Sequence, residues 1–142
     1  MTKSILLSVD LNHQSSWAKA LPQTVALAQA DGAEIHVLTV IPDYGMAMVA
    51  DQFPAGFADK AERTSMEVLK QLIADHIPDG IKATPHVLHG SIYKSIIKAA
   101  ESAGCDLIVM ASHRSEMSDY LLGPNAARVV RHAKQSVFVV RD

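Results

Sequence analysis

Cysteine is nearly missing from this chain. Cys105 is the only one in 142 residues, which excludes an intrachain disulfide and any metal centre built on several thiolates. Aromatic residues make up only 5% against 49% hydrophobic residues in all, so aliphatic side chains must fill the core, which favours helices layered on a sheet over an aromatic-rich sandwich. Excess charge of one sign is also lacking: thirteen Lys and Arg against fifteen Asp and Glu leave a formal charge of −2. Such a balance offers no general basic field, and nucleic acid is not an expected partner. No apolar run approaches the ~18 residues of a membrane span. The opening MTKSILLSVD is too short in its apolar part for a signal peptide, so the expectation is a soluble, cytoplasmic protein. Repeats, low-complexity tracts and linkers are missing too, which makes 1–142 one domain.

What is present is alternation. SILLSV (4–9) ends at Asp10 as a buried strand would. A polar loop, LNHQSS, offers Ser15 or Ser16 as a helix cap, and an apolar pattern then runs from Trp17 to about Ala30 and stops at Asp31-Gly32. Pro22 predicts either a kink or a regular helix starting near Leu21. EIHVLTV (34–40) is the second strand, followed by an irregular stretch to about Ala58 in which Met46 and Met48 could form an apolar lid. Residues 60–77 read as an amphipathic helix with His76 on its apolar side, and 81–88, interrupted by Pro85, as an edge strand. A helix from Gly90-Ser91 to Gly104, the continuously apolar strand DLIVMA (106–111), a helix over 124–133 and a last strand, SVFVVR (136–141), complete the chain. Five strands alternating with four helices predict an α/β fold, a parallel sheet with helices on both faces.

In such sheets ligands bind outside the carboxyl ends of the strands, where the strand order reverses. With the order 3-2-1-4-5, Asp10 and Leu11 lie on one side of that crevice and Ala111-Ser112-His113-Arg114 on the other, with Val40 beside them. Gly123 opens the last helix, whose unpaired N–H groups favour an anion such as phosphate. His86 and His89 are three apart on a strand and point to opposite faces, without an acidic partner at metal-ligand spacing, so no metal site is expected. Cys105 reads as a small buried residue.

Taken together, VDLN, LTVIPD, HGSIYKSIIKAA, DLIVMASHR and YLLGPNAARVVRHAKQSVFVVR resemble the universal stress protein family, in particular its short nucleotide-binding branch with ASHR and LLG-x-NAA motifs. The resemblance implies a Rossmann-like sheet of order 3-2-1-4-5, ATP with or without Mg2+ as ligand, and a homodimer through the last strand, 136–141, or a tetramer built from it. It implies that Asp10 meets the ribose or the adenine side, that Val40 meets adenine through its backbone, and that Gly90 lies near the ribose or triphosphate. Ala111, Gly123, Asn125 and neighbouring amides such as that of Ala126 would hold phosphates, with Ser112, His113 and Arg114 adding hydrogen bonds or charge. The chain departs from the family's glycine-rich motif at three points. Ala111 stands for the first glycine, the second is missing or replaced by Arg114, and Pro124 follows Gly123 where a serine or threonine is usual. Pro124 lacks an N–H, yet proline suits the first helical position.

Each residue also has a plainer reading. Asp10 could cap a turn, His113 be solvated, Arg114 pair with Glu116 or Asp119, Gly90 form a turn, and Gly123-Pro124 punctuate a helix. The expected function is a nucleotide-occupancy regulator with an unidentified protein partner and at most slow hydrolysis, since no general base or nucleophile elbow is visible. Its rivals are a nucleotide-free dimeric interaction module and a phosphohydrolase using His113 and Arg114.

Overall fold

The computed structural model describes residues 1–42, 57–112 and 123–141. Five strands, β1 (Ser4–Val9), β2 (Glu34–Ile41), β3 (Ala83–His89), β4 (Leu107–Ala111) and β5 (Ser136–Val140), form one sheet of order β3-β2-β1-β4-β5. All neighbouring strands are parallel, so every carboxyl end opens on the same side. The helices are α1 (Ala20–Asp31), α2 (Phe57–His76), α3 (Ile92–Ser102) and α4 (Pro124–His132). Among the described residues no helix is long and apolar enough to cross a membrane.

The period of two along each strand divides the core. Ile5, Leu7 and Val9 of β1 pack with Ile35, Val37 and Val109 against Ala20, Leu21 and Ala28 of α1 and Leu69 and Leu72 of α2. Leu6, Leu38, Ile108 and Met110 pack on the other face against Ile96, Ala99 and Ala100 of α3 and Ala126 and Val129 of α4. Leu6, Ile108 and Ile96 are completely buried, and each such side chain contributes about 1.5–3 kcal/mol over leaving it in water. The expected β3 edge position is realised, because Pro85 needs no ladder donor on its outer side.

Of the two alternatives for Pro22 the second is realised, while other local expectations are corrected. Pro22 is the third residue of α1, inside the first turn where amides lack helical partners anyway, so the regular helix begins beside Leu21. Neither Ser15 nor Ser16 caps α1: both belong to a short 3-10 turn, Gln14–Ser16, and the residue preceding α1 is Lys19, without a side-chain cap. His76 is exposed yet on the expected side of α2, its ring 5.0 Å from that of Trp17, which packs on the same core as Leu69 and Leu72. β3 starts at Ala83 because Ile81 is still engaged in a turn, its N–H donating to Pro78 at 3.1 Å.

Candidate functional site

At the carboxyl end of β1 the chain folds back on Asp10. Its Oδ1 accepts the Asn12 N–H at 2.9 Å and its Oδ2 meets His13 Nδ1 at 2.9 Å. The Asp10 N–H donates to Ser16 Oγ at 2.8 Å, and that hydroxyl is shared between the carbonyls of His13 at 2.7 Å and Asp10 at 3.0 Å. The Gln14–Ser16 turn packs on β4. Asp10 is thus held at the crevice by its own loop, while its side chain keeps 42% of its surface in solvent.

Across the crevice, β4 ends at Ala111, and Ser112 follows, 4% exposed. The Ser112 N–H donates to Val140 of β5 and its carbonyl accepts the Gly123 N–H, both at 3.0 Å. That second bond fixes the start of α4 directly against the end of β4. Gly123 precedes the helix in extended conformation, Pro124 is its first residue, and among the described residues no side chain caps the end. The first intrahelical bond is Ala127 N–H to Gly123 at 3.0 Å. Since Pro124 has no N–H, the amides of Asn125 and Ala126 are the uncapped donors there, carrying the positive end of the helix dipole. Gly123 has φ −62°, ordinary for any residue, so backbone freedom does not explain it.

Gly90 is different. It has φ +112°, which side chains rarely adopt, although an added Cβ would meet open space. Its N–H donates to Ile41 at 3.0 Å, joining the ends of β2 and β3 beside the crevice. Val40 lies at the end of β2 and is half-buried against the α3–α4 side of the core; Leu11 packs into the opposite core. The structure therefore brings Asp10, Ala111, Ser112, Gly123, Pro124, Asn125 and Ala126 to the ends of adjacent elements, with Val40 and Gly90 one strand further on, and turns Leu11 inward. His113, Arg114, Met46 and Met48 lie outside the described residues.

His13 and Ser16 escaped the sequence reading as partners of Asp10. Their three- and six-residue spacing from it was visible, but only the reversal of the loop makes the spacing meaningful. His86 and His89 do take opposite faces: His89 Nε2 is 3.3 Å from Glu62 of α2, whereas His86 Nε2 is 2.8 Å from His36 Nδ1. His36, in turn, has its Nε2 2.9 Å from Glu34 Oε1. This histidine cluster sits toward the amino end of the sheet, away from the crevice. Cys105 is 4% exposed, and burial pushes its thiol up, which leaves it inert.

The model of the universal stress protein family matches residues 1–141. Universal stress protein G of Shigella flexneri is 33% identical over 99% of this chain and its own full length. Among solved structures, a hypothetical protein whose biochemical function was assigned from its structure is 25% identical, covering 99% of this chain and 96% of that one, with a TM-score of 0.74. A universal stress protein in complex with cAMP superposes with a TM-score of 0.64 at 19% identity, covering 99% of this chain and 97% of that one.

Proposed function

This chain belongs to the universal stress protein family, and from that premise we propose that it binds an adenine nucleotide, ATP foremost, in the crevice between β1 and β4 and acts as a dimeric, occupancy-dependent regulator. The observation that carries the reading is the Ser112–Gly123 hydrogen bond at 3.0 Å, which seats an uncapped helix N-terminus on the strand end facing Asp10. The amides of Asn125 and Ala126 suit phosphate oxygens, and the exposed Asp10 carboxylate suits hydroxyl or amine donors of a nucleoside. The cAMP complex of a relative supports a nucleotide as the ligand class. Mass analysis of what copurifies, followed by calorimetry with ATP, ADP, AMP and cAMP, tests it. Saturable ATP binding is expected, and protein that takes up none of the four overturns the reading.

Dimerisation would use β5. It is the outer strand of the sheet, and Val137, Phe138, Val139 and Val140 are all only half-buried, the kind of edge that stays soluble by pairing with another strand. A glutamate at Val139 is expected to yield monomers in analytical ultracentrifugation. The nucleotide-free module remains the second reading because Pro124 removes one amide from the cradle. Pro124→Ser decides: a large gain in ATP affinity favours the module.

A further inference from the structure

The charge of −2 for the whole chain conceals a local imbalance. Between Gly123 and Arg141 stand Arg128, Arg131, His132, Lys134 and Arg141 without one aspartate or glutamate. The adjoining α3 adds Lys94 and Lys98, one turn apart and exposed, against a single carboxylate, Glu101, near its end. Arg128, Arg131 and Lys134 are exposed too. Lys94, Lys98, Arg128, Arg131 and Lys134 take no part in the ion pairs seen among the described residues, which include His13 with Asp10, His36 and Lys82 with Glu34, and His89 with Glu62.

The helix dipole explains Arg131 and His132, which occupy the last turn of α4. It does not explain Arg128 or the two lysines of α3. Arg128 is instead braced: its guanidinium lies 5.3 Å from the centroid of Tyr93, and the His132 ring lies 6.0 Å from the same tyrosine. Tyr93 thus ties α3 to α4, and the exposed Lys94 and Lys98 of α3 and Arg128 and Arg131 of α4 lie on the solvent side of that helix layer. A guanidinium stacked on an aromatic ring keeps its donors outward and loses less freedom when it meets a carboxylate. Exposed Ala127 and Val130, the latter 48% exposed, flank Arg131 with small apolar surface.

We propose that the α3–α4 face is a docking surface for an acidic segment of a partner protein. Arginine and tyrosine around small apolar side chains match the make-up of protein interfaces, and the cations supply the complementary charge. A long polyanion fits less well, because the remainder of the chain is correspondingly acidic. An anionic membrane fits less well again, because the exposed apolar side chains, Ala127 and Val130, are too small to anchor in lipid. The proposal does not depend on nucleotide binding, and the assay contains no nucleotide, so the two readings fail separately.

The probe is a fluorescein-labelled decapeptide of alternating aspartate and glutamate, titrated with the full chain and followed by anisotropy at low and at physiological ionic strength. Saturable binding is expected, weakened about tenfold or more by Arg128→Glu with Arg131→Glu and by Lys94→Glu with Lys98→Glu. The control pair Lys60→Glu with Lys70→Glu, on exposed positions of α2, adds the same charge on the other side of the sheet and is expected to change affinity less than about threefold. Thermal melts confirm that each variant is folded before its affinity is compared. Equal losses in all three pairs would reduce the effect to net charge and overturn the proposal. So would an absence of saturable binding, or tighter binding of a duplex DNA or a phosphatidylserine vesicle than of the peptide.

Discussion

The two ends of the sheet are built to opposite rules. At the amino end, polar groups are spent on one another. The Asp106 carboxylate accepts the N–H groups of Lys3 at 3.0 Å and Ser4 at 3.4 Å, and Asp31 accepts that of Thr2 at 3.0 Å. Glu34 holds His36, which meets His86, and Lys82 lies 3.7 Å from the same Glu34. At the carboxyl end, polar groups keep contact with solvent: the Asp10 carboxylate, held by Asn12 and His13, stays 42% exposed, and α4 starts without a side-chain cap among the described residues. The same parallel strands thus end in a clasp on one side and in half-exposed polar groups on the other.

The histidine cluster shows how closed the first end is. If Glu34 accepts the His36 Nε2–H, the His36 Nδ1 lone pair is left to accept from His86 Nε2–H, so both contacts pair a donor with an acceptor. One added proton can settle on the pair, but two would oppose N–H groups across 2.8 Å. The hydrogen bond from His36 holds the Glu34 carboxyl below its ordinary range, while burial and the adjacent His36 push His86 down.

Substitutions can break this contrast, beginning with the largest effect. Asp10→Ala should weaken ATP binding about tenfold to a hundredfold by calorimetry and cost no more than about 1 kcal/mol in a urea titration, since the Asn12 N–H and His13 lose a half-exposed acceptor. Gly90→Ala, forced to φ +112°, should cost about 1–3 kcal/mol of stability in the same urea titration. The mirror change, Asp106→Ala, should cost about 1 kcal/mol and leave ATP affinity unchanged, because its two amide partners lose their acceptor at the closed end.

Acid sharpens the comparison further. His86 has a folded pKa below its usual 6.5, so the unfolded chain binds more protons once the pH drops below that value. Its contribution to stability is therefore complete above about pH 6.5 and is lost as the pH falls through the depressed folded value. Glu34 adds a second loss beginning near its ordinary 4.5 and running through its lowered folded value. Melting temperatures should be flat above neutrality and fall in these two steps, and His86→Gln should remove the first. The smallest effect is expected from Pro124→Ser, less than about threefold in ATP affinity, because Asn125 and Ala126 already supply the amides.

How much of this was legible in the sequence follows from range. SILLSV and DLIVMA announce buried strands because period and composition are local properties, and Asp10 and Gly123 mark element ends for the same reason. Pairings that depend on strand register were hidden. His36 and His86 are fifty residues apart and meet only because Leu38 is aligned with His86 across β2 and β3. Serine before an apolar pattern usually caps a helix, which is what the sequence suggests for Ser15 or Ser16, but the 3-10 turn directs the Ser16 hydroxyl back to Asp10. Arg128 gave no local sign of Tyr93, since that contact arises from the packing of α3 on α4.

The most direct measurement is backbone amide NMR of the labelled protein during titration with ATP. Saturable shifts at Asp10, Ser112, Asn125 and Ala126, with Glu34, His36 and His86 unmoved, are the predicted result. Shifts confined to the histidine end of the sheet, or no shifts at the start of α4, would contradict the assignment of the crevice as the nucleotide site.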